Sequence, residues 1–528
     1  MKTYVWSSLR NAVVVLLIAF APAAIPFASA ASDDLVVATD DGPVRGVATS
    51  TMRKFLGIPY AAAPVGELRW QPPQPHERWT AVRDATQFGN HCPQVASPFG
   101  LASTNEDCLF LNVYTPLGAN PSESQRRPVM VWVHGGALVV GESDDYDPAR
   151  LVAQNIVVVT INYRLGILGY LAHPAMTAES DNDASGNYGF MDQQFALDWV
   201  RRNIGRFGGD ANNVTLFGES AGGLSVHTQL ASPLARGLFE HAIVESGAYQ
   251  LTQPTLAAAE TLGRDLATRV GCSDQTAECL RAVPVAALLA DVAAGAIASP
   301  VVDNHVLTQS IGTAFARGDF NQVPVIEGSN RDEWRLFVAL NNELPNGPVT
   351  AEQYAAAIAA TLRLPSAAAA APIVAQYPLA NYPSPGIALG AVGTDAIFAC
   401  PARAAVRGLS QHVNTFAYEF ADQNAPQLFL PPVSFPYGAY HSAELQYLFN
   451  LRATVPAPSL NAEQQSLSQH MVRYWTQFAR TGDPNVSDSP QWPRYESGTD
   501  TFLKLIPPTP TTETDFASIH MCAFWTPA

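Results

Sequence analysis

The segment Val214-Thr215-Leu216-Phe217-Gly218-Glu219-Ser220-Ala221-Gly222-Gly223 constrains this chain more than any other. Its first four residues are apolar or β-branched and predict a buried strand. They run directly into Gly-x-Ser-x-Gly, after which small residues open a helix. A serine on so sharp a strand-to-helix turn has a strained backbone, tolerable because the flanking glycines carry no Cβ. Its hydroxyl then projects from the end of a sheet, beside the amide groups of a helix N-terminus. Ser220 is the candidate nucleophile.

The surrounding patterns extend this unit. Pro128 to Val133 is a short apolar run ending in His134-Gly135-Gly136, and Ile156 to Ile161 is nearly continuous in β-branched residues, suited to a strand buried on both faces. Phe190 to Ile204 has helical periodicity, and Asn203 to Asp210 breaks it with glycines before the Val214 strand. Strand, helix, strand in this order predicts an α/β fold with a parallel, doubly wound sheet. Later core strands are expected at Pro324 to Glu327 and Thr415 to Phe420, and a final amphipathic helix at Met471 to Ala479. Alanine-rich stretches from about 250 to 300 and about 350 to 410 read as helical cap packed over the sheet. The loop from Gln423 to Tyr440, with Phe429, Phe435, Tyr437 and Tyr440, could wall a pocket.

The N-terminus has the form of an export signal. Lys2 and Arg10 precede a mostly apolar stretch from Ala12 to Ala24, and Ala28-Ser29-Ala30 supplies an A-x-A cleavage site. Residues 1–30 are thus expected to be a signal peptide and 31–528 a single catalytic domain, secreted or periplasmic. No later segment is long enough to be expected to span a membrane. Cleavage would remove two positive charges and no negative ones, taking the net charge from −16 to −18. So acidic a chain repels phosphate backbones, which argues against nucleic acid as a partner. Few lysines (Lys2, Lys54 and Lys504) and much alanine suggest a GC-rich bacterial source. With 47% apolar and 14% charged residues, there is material for a large core.

Six cysteines lie beyond the signal, and an even number in an oxidising compartment predicts disulfides. Cys272 and Cys279 are close enough for a local loop, and Cys92 and Cys108 bracket a second, which leaves Cys400 with Cys522. Neither C-x-x-C nor H-E-x-x-H occurs, so no metal is expected.

A serine hydroxyl needs a base to take its proton, and the base needs an orienting acid. In doubly wound hydrolases these follow in the order Ser, acid, His. Pro324 to Gly328 is followed by the turn Ser329-Asn330-Arg331-Asp332-Glu333, which puts an acid at the same edge of the sheet as the nucleophile. Spacing alone leaves Asp332 and Glu333 both open. The loop histidine His441 has the favoured position for the base, ahead of His227, His241, His305, His412, His470 and His520. His134-Gly135-Gly136-Ala137 follows a strand, and its amides, with that of Ala221, can hold an oxyanion. His134 itself is expected to brace that loop. Ser143 lacks the second glycine of an elbow, and no Ser-x-x-Lys is present.

Taken together, these segments resemble the type-B carboxylesterase family, the cholinesterase-like branch of the α/β-hydrolases. Further markers are Glu106-Asp107-Cys108-Leu109-Phe110-Leu111-Asn112-Val113-Tyr114, Asn162-Tyr163-Arg164, and Gly186-Asn187-Tyr188-Gly189 with Asp192-Gln193. Phe207-Gly208-Gly209-Asp210 and Gly482-Asp483-Pro484-Asn485 complete the set. The likeness runs from about residue 35 to 522. It implies a mostly parallel central sheet with helical cap insertions, a triad of Ser220, Glu333 and His441, and oxyanion donors at Gly136, Ala137 and Ala221. It also implies the pairs Cys92–Cys108, Cys272–Cys279 and Cys400–Cys522, and hydrolysis of a small-molecule ester through an acyl-serine without a cofactor.

Two positions depart from the family pattern. Ala137 and Leu138 stand where a third glycine and an aromatic are common, and the alanine Cβ narrows what fits. The loop Pro93 to Asp107 has no tryptophan to hold a quaternary ammonium by cation–π attraction, which argues against choline esters. An amidase or a transacylase would use the same residues, and a non-catalytic adhesion relative would usually have lost one of the three.

Overall fold

A computed structural model of the chain describes residues 1–3, 34–119, 125–291 and 294–526. Apart from its first three residues, the expected signal peptide lies outside the described residues. Contacts group Leu35–Ala528 into one unit.

Eleven strands of that unit form one sheet. In chain order they are β1 (Val47–Ala48), β2 (Met52–Pro59), β3 (Phe110–Pro116), β4 (Arg127–Val133), β5 (Val157–Ile161) and β6 (Gly209–Glu219). β7 (His241–Glu245), β8 (Val325–Asn330), β9 (Thr415–Phe420), β10 (Phe502–Leu505) and β11 (Thr511–Glu513) follow. Their spatial order is β11-β10-β9-β8-β7-β6-β4-β5-β3-β2-β1. From β10 across to β5 every neighbouring pair is parallel. Antiparallel strands are confined to the two margins.

The apolar runs explain why this sheet sits in the middle. Successive side chains of a strand point to opposite faces. Val129, Val131 and Val133 of β4 enter one core together with Val157 and Val159 of β5 and Leu216 of β6. Met130 and Trp132, Val158 and Phe217, from the same strands, enter the other. Neither face can be solvated, so helices must cover both. Helices α1 (Tyr188–Asn203) and α2 (Ala221–Ala231) bury Leu197, Trp199, Leu224 and Leu230 in the first core. On the opposite side α6 (Ala462–Thr481) buries Leu467, Met471, Trp475 and Phe478. The helices between, used below, are α3 (Trp334–Val338), α4 (Tyr354–Thr361) and α5 (Cys400–Leu409).

Several boundaries differ from those expected. β8 runs on to Asn330, through Ser329 and Asn330 that were expected to turn, because these pair with Glu419 and Phe420 of β9. β6 starts at Gly209, inside the glycine-rich break, because a short turn at Ile204–Phe207 is closed by Gly208 at φ 87° and the chain pairs at once with β4. Helix α6 begins at Ala462, ahead of the apolar stripe, where Asn461 and Gln464 form a reciprocal capping box. It is also not the last helix, since short turns at Phe516–Ile519 and Cys522–Trp525 follow. The structure contains the disulfides Cys92–Cys108, Cys272–Cys279 and Cys400–Cys522. Among the described residues one helical stretch, Pro385–Leu409, is long and apolar enough to cross a membrane, and 67% of its apolar window is buried within the fold.

Candidate active site

The C-terminal ends of β4, β6 and β8 deliver their following loops to one cavity of about 970 Å³. Ser220 stands between β6 and α2 with φ 55° and ψ −118°, a conformation few residues with a Cβ adopt. Its backbone N–H donates to Glu245 O at 2.8 Å, while its own carbonyl accepts Leu224 N at 2.8 Å. The turn has no room for side chains beside it. A Cβ on Gly222 would lie 2.0 Å from Val133 O, and one on Gly218 2.7 Å from that same atom. Only glycine allows β6, β4 and α2 to meet this closely, and the serine is thereby pushed into the cavity wall.

Glu333 follows β8 as the residue that opens α3 and is fully buried. Its Oε2 is 2.6 Å from His441 Nδ1. Oε1 accepts Ser246 Oγ at 2.6 Å and Asn330 N at 2.7 Å, which fixes the carboxylate in place. Asp332, the other acid left open by spacing, turns away. It pairs with Arg335 at 2.7 Å and accepts Ala439 N at 2.9 Å, bracing the loop that carries the histidine.

His441 is the only histidine lining this cavity among the described residues. Its ring is flanked by Phe337 and Phe398, with centroids 5.1 and 4.9 Å away. Nε2 lies 3.2 Å from Glu219 Oε1, which also accepts Ser442 Oγ at 2.7 Å. Ser220 Oγ has no hydrogen-bond partner among the described residues, and it lines the same cavity as the imidazole. Burial disfavours the charged imidazole, but the carboxylates of Glu219 and Glu333 outweigh it, and the pKa is raised from the ordinary 6.5. Burial likewise raises the carboxyl of Glu219, and the nearby imidazole and Ser442 hydroxyl oppose that rise.

The loop after β4 supplies the opposite wall. Gly136, Ala137 and Leu138 have φ of 101°, 55° and 62°, three left-handed residues in succession. This coil lets Gly136 O accept both Val139 N and Val140 N at 3.0 Å. The N–H groups of Gly136 and Ala137 have no acceptor among the described residues, and neither has that of Ala221 at the start of α2. A Cβ on the neighbouring Gly135 would lie 3.2 Å from Ser220 Cβ, so this loop and the serine are in direct apposition. His134 is buried, stacks on Tyr163 with centroids 4.5 Å apart and donates from Nδ1 to Gly135 O at 2.8 Å. Burial holds its pKa down at about 4, so the ring is neutral.

The remaining wall is largely apolar. Phe99 from the first disulfide loop meets Phe429 at 5.3 Å, and Trp334, Phe337, Leu340 and Leu362 add to the lining. Of the four aromatics singled out between Gln423 and Tyr440, only Phe429 lines the cavity. Phe435, Tyr437 and Tyr440 are buried in the second core. Sequence reasoning missed Glu219, Phe337 and Phe398 as neighbours of the imidazole, and Ser246 as a donor to Glu333. For Glu219 a signal existed, its place inside the elbow; Ser246 is brought in only by the parallel pairing of β7 with β8.

The chain is similar to known proteins over most of its length. The chain is 35% identical over 463 residues to an acylcarnitine hydrolase of Mus musculus, covering 83% of this chain and 81% of that one. It is 34% identical to a cocaine esterase of Homo sapiens over 86% of this chain and 83% of that one. A para-nitrobenzyl esterase of Bacillus subtilis (strain 168) is 35% identical over 89% of this chain and 94% of its own length. With residues 33–525 also matching the family's profile, the chain belongs to the carboxylesterase family and has its α/β-hydrolase fold.

Proposed function

We propose that the protein is a serine carboxylester hydrolase working through an acyl-enzyme. The observation that carries this is the meeting, at one cavity, of a strained serine, an imidazole bonded to a buried carboxylate at 2.6 Å, and backbone N–H groups with no acceptor among the described residues. An ester carbonyl entering beside Gly136 and Ala137 presents its oxygen to those amides and to that of Ala221. His441 Nε2 takes the proton of Ser220 Oγ as the oxygen attacks. Glu333 keeps the Nδ1 proton in place and stabilises the imidazolium. The oxyanion is held without reorganisation, each amide contributing about 10²–10³ in rate. His441 then protonates the leaving alcohol, and water repeats the sequence to release the acid.

The apolar lining suits small-molecule esters with sizeable hydrocarbon groups. Three disulfides favour an oxidising compartment, in keeping with export directed by residues 1–30. The lysine-poor, alanine-rich composition supports a bacterial source.

The decisive measurement pairs ester turnover with intact mass after a stalled acyl donor. Wild type should hydrolyse para-nitrophenyl butyrate and gain one acyl mass. Ser220→Ala should fold, gain none, and lose about 10⁴–10⁶ in kcat. Retained turnover by that variant would overturn the reading.

A further inference from the structure

The cavity wall carries four charged residues besides the imidazole of His441: Asp145, Glu219, Arg363 and Arg452. Three of them are already engaged. Arg452 lies 2.9 Å from Asp145 Oδ1 and 3.0 Å from Glu142 Oε1, and Glu219 is occupied by His441 and Ser442. Arg363 has neither an ion pair nor a side-chain hydrogen bond to any described residue. It is exposed, and it shares the wall with its neighbours Thr361 and Leu362.

Its backbone is unusual for an arginine. Leu362 caps the C-terminus of α4, and Arg363 follows at φ 52°. Arg363 N donates to Ala360 O at 3.3 Å and Leu364 N to Ala359 O at 2.8 Å, the paired bonds of a Schellman turn. Glycine or asparagine normally takes this left-handed position, because a Cβ is disfavoured there. A long cation therefore stands at the lip of an apolar cavity, on a residue whose backbone would favour glycine. The chain as a whole has a net charge of −16, so an anionic ligand is repelled at long range unless a local cation compensates.

We propose that Arg363 is a specificity-determining residue that receives a negatively charged group, a carboxylate in the simplest case, on the far end of the ester substrate. The assignment rests on the ester-hydrolase reading and narrows its substrate class to esters that pair a hydrocarbon body with an acidic terminus. A planar guanidinium without a counter-ion offers paired donors to a carboxylate, and the apolar wall takes the chain between that group and the reacting carbonyl.

The test compares acidic and neutral esters on wild type, Arg363→Gly and Arg363→Lys. Glycine suits the left-handed position, so the cap and fold are retained while the charge is lost. On the acyl side, para-nitrophenyl hemiesters of adipate, suberate and sebacate are set against the hexanoate, octanoate and decanoate. On the alcohol side, the butyrate ester of para-hydroxybenzoate is set against phenyl butyrate. In at least one series the acidic-to-neutral ratio of kcat/KM should fall about fivefold or more in Arg363→Gly, chiefly through KM, and be largely kept in Arg363→Lys. The wild-type ratio should also fall with added salt. Neutral esters turned over with the ratio unchanged by Arg363→Gly in both series would overturn the proposal and leave the esterase reading standing. No turnover of any of these esters by wild type would overturn both.

Discussion

His441 is held between two carboxylates, and its titration follows from both. Burial works against its charged form, whereas Glu219 and Glu333 favour it and prevail. Only the neutral ring can accept the serine proton, so activity falls as pH drops through the raised pKa. Glu219→Gln removes one of the two raising charges, and the acid limb of the kcat/KM profile should move to lower pH. A limb that stays in place would mean that Glu219 does not act on the imidazole. Ala137 is a second case. With φ at 55° beside the serine, its Cβ occupies a place that glycine would leave empty. Ala137→Gly should raise kcat/KM for acetates of tertiary alcohols by about tenfold relative to those of primary alcohols, measured with matched substrates. Ser220 was legible because Gly-x-Ser-x-Gly needs no tertiary information. The acid was not legible from spacing, only from the family resemblance, since Asp332 and Glu333 are adjacent and the turn into α3 sends one toward Arg335 and the other toward His441. Arg363 gave no signal at all, because nothing local announces a left-handed arginine.

At the scale of elements, periodicity did most of the predicting. β4, β5 and β9 fall where the apolar runs place them, since a strand buried on both faces writes itself as a nearly continuous hydrophobic stretch, whereas β8 continues through Gly328-Ser329-Asn330, which no such run announces. Helix α6 was found by its stripe and missed by its ends. Its first turns are polar, and they are helical because Asn461 accepts Gln464 N at 2.9 Å while Gln464 Oε1 accepts Asn461 N at 3.0 Å. Gly482 stops the helix at φ 72°. Asn461→Ala should therefore cost about 1 kcal/mol, read as a lowered urea midpoint with an unchanged slope. The alanine-rich cap was recognised as helical, but which of its residues reach the cavity depends on packing between short helices, and composition carries no record of that.

On the scale of the whole molecule, the C-terminal segment is fastened twice. Cys522 is joined to Cys400 at the start of α5. Two residues earlier the buried His520 reaches Asp395 Oδ1 at 2.6 Å through Nδ1 and Glu419 Oε1 at 2.7 Å through Nε2. Burial alone would push this imidazole down, but hydrogen bonds and charge from both acids hold it up at about 10. A folded pKa above the unfolded value of about 6.5 stabilises the fold fully below that value and is lost as pH climbs through the folded one. Wild-type stability should thus decline between about pH 6.5 and 10, and His520→Gln should be less stable at neutral pH and flatter across that interval. Thermal melts in a pH series decide this, and parallel curves would contradict it. The parallel strands also fix a polarity with an evolutionary reading. Chemistry sits on segments leaving one end of the strands, while stability is banked in what lies between and behind them. Loops such as those holding Phe99, Arg363 and Phe429 can then be exchanged or lengthened without disturbing the sheet beneath, so new selectivities are reachable by single steps that leave foldability intact.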